Sequence, residues 1–144
     1  MIMESLFDRG SISVLQRMMA FTEERHQVLA NNIANFDTVN YQMKDLPVQE
    51  FSEALNGAIE RRDKRGSSAE FFVKNTRYVR WNRAGEIQVR PTNIENNILF
   101  HDKNNRFVEK QMSEMAKNSM KHTLVADMLR QQYDLMRTAI RGRL

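Results

Sequence analysis

Cysteine is absent from all 144 residues, so neither a disulfide framework nor a thiolate metal site or nucleophile is available. That lack is neutral about compartment. No apolar run approaches the roughly 18 residues of a membrane span, and direct membrane insertion is not expected. Residues 1–9 have no basic lead followed by a long apolar stretch, so a cleavable secretory signal is not expected either. There is no Gly-rich phosphate loop. Histidine occurs only as His26, His101 and His122, without the i, i+4 spacing and inward carboxylates of a metal site. A seam or interface role is the plainer reading of His26 and His122, and no metal or other cofactor is expected. Ser119, His122 and Asp127 have the residue types of a hydrolytic triad but lack a strained nucleophile turn and an oxyanion site, so no catalysis is expected.

Gly and Pro are also missing from 107 to 141, and there the helical pattern is strongest. Val108, Met112, Met115, Ser119, His122, Ala126, Leu129, Tyr133, Met136 and Ile140 follow one another at gaps of four and three, and eight of the ten are apolar. This predicts a long helix, with Asn104 or Asn105 as its cap and Glu109 near the positive end of its dipole. Arg137, Arg141 and Arg143 suit the negative end. The same alternation joins Ile12, Leu15, Met19, Thr22, His26, Leu29, Ile33 and Phe36, with Ser11 or Ser13 as cap and Asn35 as a left-handed stop. Stripes this narrow leave both helices in need of a partner. Paired antiparallel with Met19 level with Leu129, they would set His26 near His122 and Thr22 near Ala126.

Charge is uneven along the chain. The net charge of +4 divides into −5 over residues 1–60, +5 over 61–80 and +4 over 81–144. Pairing within or between chains suits that division better than a uniformly basic binding face.

The middle is less patterned. Phe51, Leu55, Ala58 and Ile59 make a short amphipathic piece weakened by Asn56-Gly57, and residues 61–70 read as a basic linker. Phe71, Phe72, Val73, Tyr78, Val79 and Trp81 form strand-like runs, with Ala84-Gly85 as a turn before Ile87 and Val89; Ile94, Ile98, Leu99 and Phe100 then lead into the last helix. The expected organisation is an N-terminal helix and signature over 1–41, a central insert over 42–106, and a C-terminal helix over 107–144. The fold is mainly α: two long terminal amphipathic helices pair as a coiled-coil-like hairpin around a small, partly disordered or β-rich insert. Basic residues interleaved with aromatics in 61–83 keep a second reading open, a small nucleic-acid-binding protein.

Asn31, Asn32 and Asn35 crowd a helix end, where Asn competes poorly for helical structure, so their amides are expected to pair with something specific. Leu29, Asn31, Asn32, Ile33, Ala34, Asn35, Thr38 and Tyr41 resemble the signature of the bacterial flagellar rod and hook axial proteins, a helix end Leu-x-Asn-Asn-Ile-Ala-Asn followed by x-x-Thr-Pro-Gly-Tyr-Lys. Val39, Asn40 and Gln42 replace that family's Pro, Gly and Lys, and Asn40 tolerates the positive φ of the turn. Asp102, Asn104, Asn105, Glu109, Met112, Asn118, Ser119, Leu129, Tyr133, Leu135 and the run from Arg137 to Gly142 resemble the closing helix of the proximal rod member, with Lys103 in place of a Gly and Arg106-Phe107 in place of a Val-Asp pair.

The resemblance implies a structural subunit of the basal-body rod, exported by the flagellar type III apparatus and polymerised across the periplasm into a torque-transmitting shaft around an export channel. The implied partners are further copies, other rod proteins, the junction with the membrane ring and the export apparatus, with no nucleic acid. Such subunits would be poorly ordered alone and gain order on packing. Leu29, Asn31, Asn32, Ile33, Asn35, Thr38, Tyr41, Met112, Met115, Ser119, His122, Leu129, Tyr133, Met136 and Ile140 are the expected assembly contacts.

Overall fold

The computed structural model describes residues 9–65, 71–82, 86–94 and 105–142. Helix α1 spans Arg9–Ala34, strand β1 Lys44–Asp45, helix α2 Val48–Arg65, β2 Val79–Trp81, β3 Ile87–Val89, β4 Thr92–Asn93 and helix α3 Asn105–Arg141. The expected turn at Ala84-Gly85, the cap at Asn104, the lead-in through Ile98, Leu99 and Phe100, and positions 66–70 of the linker lie outside the described residues.

The chain is mainly α with a small β component. Helix α1 already runs at Arg9, so Ser11 and Ser13 lie inside its first turns and neither caps it. It stops at Ala34 without a left-handed residue. Instead, the Asn35 and Phe36 N–H groups donate to Asn31 O and Ile33 O, and Thr38 and Tyr41 carry the turn onward through Asn35 O and Thr38 O. The left-handed residue is Asn40, at φ 63°, where Asn meets the turn's demand almost as well as Gly. Helix α3 ends on Gly142, also at φ 63°, as a left-handed C-terminal glycine should.

Two short antiparallel ribbons frame the middle. In one, Lys44 pairs with Asn93 and Asp45 with Thr92. In the other, Val79 pairs with Val89, Arg80 with Gln88 and Trp81 with Ile87. Thr76 Oγ1 accepts the Val79 N–H at 3.0 Å and Asn75 Oδ1 the Trp81 N–H at 2.8 Å, so side chains satisfy donors of this edge that no further strand covers.

The main apolar cluster of the molecule is central. Phe21 of α1 joins Leu46, Phe51, Leu55, Ala58, Val73, Val79 and Trp81 in one cluster of buried side chains. The rings of Phe21 and Phe51 stack at 4.0 Å, Phe51 meets Trp81 at 6.4 Å, and the Arg17 guanidinium lies 4.5 Å over the Trp81 ring. The amphipathic piece expected around Phe51 and Leu55 is thus part of an 18-residue helix, and Arg61–Arg65, expected in a linker, forms its last turns. The reason is tertiary: Phe51, Leu55 and Ala58 recur on one face and bury there, which outweighs the unfavourable propensity of Asn56-Gly57. Phe51→Ala should destabilise the chain by about 3–5 kcal/mol, because a buried ring and its stacking partners are lost together, and denaturant unfolding of the purified protein reads it directly.

Candidate functional site

Helices α1 and α3 cross-link in opposite chain order, Gln16 with Tyr133, Thr22 with His122, Arg25 with Glu114 and Asn32 with Gln111, so they lie antiparallel. The pairing is one turn away from the expected register. Thr22 meets His122 instead of Ala126, with Thr22 Oγ1 3.0 Å from His122 Nδ1, and His26 is exposed instead of facing His122. Five buried polar residues set that register: Thr22, Arg25, Asn32, Gln111 and Asn118.

Arg25 is only 5% exposed, and a guanidinium cannot shed its proton to escape burial. Its Nε and Nη2 donate to Asp45 Oδ1 and Oδ2 at 2.9 and 2.7 Å, and Nη2 also donates to Glu114 Oε2 at 2.9 Å. The hydrogen bond to Asp45 raises the Arg25 pKa above its ordinary value, against the opposing effect of burial. Two turns further along α1, Asn32 is fully enclosed. Its amide NH2 donates to Lys44 O at 2.6 Å and Gln111 Oε1 at 2.9 Å, and its Oδ1 accepts from the Lys44 N–H at 3.0 Å and the Tyr41 hydroxyl at 3.3 Å. Asn118 Nδ2 donates to Thr22 O at 2.7 Å. These contacts lock α1, β1 and α3 into a single polar junction.

The residues singled out in the signature divide into three groups. Leu29, Asn32 and Tyr41 belong to the packed junction, with Leu29 fully buried. Asn35 organises the turn, its Nδ2 donating to Asn31 O at 2.9 Å. The Asn31 and Thr38 side chains are exposed and Ile33 is half-buried. On α3, Met115, Ser119, His122, Leu129 and Met136 are half-buried, whereas Met112, Tyr133 and Ile140 are 54%, 40% and 80% exposed.

This exposure has a simple geometric origin. The buried positions of α1 follow Leu15, Thr22, Leu29 and Arg25, Asn32; those of α3 include Gln111, Asn118, Val125. The lines Met19, His26, Ile33 and Met112, Ser119, Ala126, Tyr133, Ile140 sit one residue further on, turned by about 100°. Viewed from one end, antiparallel helices wind in opposite senses, so both flanking lines emerge on the same side of the pair. The central cluster packs on the other side of α1, through Val14, Phe21 and Val28. Helix α3 also exposes Met120, Leu124, Met128 and Leu135.

Of Ser119, His122 and Asp127, set aside above as a triad, two are engaged elsewhere: His122 with Thr22, and Asp127 with Arg130 at 3.6 Å. Among the described residues no group of three or more His, Asp or Glu is placed to hold a metal, and no helix is long and apolar enough to cross a membrane. Sequence reasoning missed Arg25 and Gln111, and noted Asn118 only within the closing-helix resemblance and not as a contact. Their seven-residue spacing, Arg25 with Asn32 and Gln111 with Asn118, was the available signal.

Residues 19–42 match the family described as flagella basal body rod protein. The chain is 26% identical over 132 residues to the flagellar basal body rod protein FlgB of Aquifex aeolicus strain VF5, covering 92% of this chain and 94% of that one. It is 24% identical over 138 residues to the protein of the same name from Bacillus subtilis strain 168, covering 96% and 98%. No solved structure matches the chain. The signature match, which contains the Asn-rich helix end, and the two near-full-length alignments make the chain similar to flagellar basal body rod proteins. Within that class its likeness is to FlgB.

Removing either hub of the junction should be costly. Arg25→Ala, which leaves two carboxylates facing an unfilled cavity, should destabilise by about 3–5 kcal/mol, and Asn32→Leu by about 3 kcal/mol, both measured by denaturant unfolding. Glu114 generates a pH dependence of definite sign. Lys117 first, then Arg25, hold its carboxyl below the ordinary carboxylate range. A group bound more weakly to its proton in the folded state stabilises above its unfolded pKa and stops doing so as pH falls through the folded one. Stability should therefore drop as pH falls below about 4, and Glu114→Gln should flatten that acid limb.

Proposed function

We propose that this chain is a structural subunit of the proximal rod of the flagellar basal body, polymerising through its terminal helices into the torque-transmitting shaft that encloses the export channel. Its partners are further copies, neighbouring rod proteins and the junction with the membrane ring, and it reaches its place through the type III export apparatus. One observation supports this reading above all: helix α3 leaves Met112, Met120, Leu124, Met128, Tyr133, Leu135 and Ile140 uncovered. Exposed apolar side chains in single positions are ordinary, but seven on one helix are an unsatisfied packing surface.

The split between buried and flanking lines gives the two helices separate tasks. Polar contacts of the inner lines hold α1 and α3 together and set their register. The flanking lines, Met19 and Ile33 beside Met112, Tyr133 and Ile140, remain for helices of adjacent subunits, which complete a coiled-coil-like bundle. Helix contacts repeated along the full length of α3 resist twisting, which suits a drive shaft.

Tyr133→Asp together with Met112→Glu should abolish motility and incorporation into basal bodies. Both positions are exposed and Tyr133 gives up only its exposed hydrogen bond from Gln16, so the thermal midpoint of the purified chain should shift by no more than the loss of about 1 kcal/mol produces. Normal incorporation of the double variant would overturn the assignment of this face.

A further inference from the structure

The central subdomain carries opposite charge on two of its sides. On the β2–β3 ribbon, Val79, Trp81, Ile87 and Val89 face the core, so Arg80, Gln88 and, by register, Arg90 lie on the outer face. Lys74, Arg77, Arg80 and Arg90 are all exposed, and none forms an ion pair with a described residue. On α2, Phe51, Leu55 and Ala58 enter the same core, which turns Glu53 and Glu60 directly outward with Glu50 on the flank. Residues 48–60 contain no Lys or Arg, and the exposed Lys64, one turn beyond Glu60, closes the C-terminal end of this acidic ridge. The helix dipole explains an acidic residue in the first turn but not Glu53 or Glu60, which lie beyond it.

We propose that, in the assembled rod, central subdomains of neighbouring copies pack head to tail, the basic outer face of the β2–β3 ribbon of one against the acidic ridge of α2 in the next. This rests on the reading of the chain as a polymerising subunit. The two charged faces belong to different elements around one core, so one copy offers both halves of the contact on different sides. Such a heterologous contact leaves an unused face of each kind at the ends and propagates, where a self-complementary patch would close into a dimer. Exposed charge pairs add little affinity, but they orient the encounter and reject wrong registers. The apolar flanking lines of α1 and α3 supply adhesion, and the charged faces supply angular placement.

The cysteine-free sequence makes the contact directly testable. Full-length chain carrying Glu60→Cys and Gln88→Cys, placed in motile cells in place of the wild type and oxidised, should give a ladder of cross-linked oligomers, while each single-cysteine chain gives none. Arg80→Glu with Arg90→Glu should lower incorporation by roughly tenfold, and Glu53→Lys with Glu60→Lys, co-expressed with it, should restore it. Absence of a ladder in chains that do incorporate would overturn the head-to-tail contact while leaving the rod assignment intact. Failure of the wild-type chain to incorporate at all would instead overturn the rod assignment. Unchanged incorporation of the Arg80/Arg90 variant, accompanied by loss of single-stranded oligonucleotide binding, would overturn the contact in favour of nucleic-acid recognition by this ribbon.

Discussion

A guanidinium sealed from water must be met by carboxylates, and Arg25 is sealed. Its two partners come from different elements, Asp45 from β1 and Glu114 from α3, at 2.7 and 2.9 Å. Satisfying one side chain therefore brings the chain after the α1 turn back against α1 and draws in the C-terminal helix from the opposite end of the sequence. Asn32, seven residues further along α1, repeats the device with Lys44 and Gln111. A buried ion pair is weak evidence of net stability, because desolvation offsets most of its attraction, but it is demanding about geometry. The junction's main effect is thus to admit one register of α1 on α3 and to exclude the register one turn away, in which Arg25 would lose Glu114 and come level with Lys117 and Asn118.

Much of this was legible in the residues, and the exceptions share a cause. Both long helices, the positive φ at Asn40, the strand pairing around Trp81 and the special status of Asn32 follow from spacing and residue type. In each helix the periodic pattern contains one line that is at least half-buried, Leu15-Thr22-Leu29 and Met115-His122-Leu129-Met136, and one that flanks the contact. The second inner line consists of Arg25 with Asn32 and Gln111 with Asn118, and hydropathy assigns such residues to solvent. Polar groups bury when their partners are supplied from elsewhere in the fold, and a single-sequence pattern cannot see those partners. The central segment was undervalued for a related reason. Its apolar residues are few and scattered over 46–81, and they amount to a core only once Phe21 of α1 is added to them.

The division into inner polar lines and flanking apolar lines also answers a difficulty of any subunit that must be soluble first and assembled later. If the intrachain contact used all the apolar side chains, nothing would remain to drive polymerisation; if it used none, α3 would have no fixed place on α1. Hydrogen bonds and ion pairs, which are specific but modest in net energy, set the position of α3. Apolar area, which is unspecific but additive, is kept for the neighbours.

The same logic places the central subdomain. It packs on Val14, Phe21 and Val28, the side of α1 opposite the flanking line, and so leaves the Met19–Ile33 and Met112–Ile140 face open along its length. Methionine is prominent on the uncovered surface of α3, at 112, 120 and 128, and its unbranched side chain adapts to unlike neighbours at low rotamer cost. The proposed shaft, in which one subunit would meet both copies of itself and different rod proteins, requires that tolerance on the subunit's adhesive face. It also requires the opposite property, strict geometry, within each subunit, and the Arg25 and Asn32 hubs provide it.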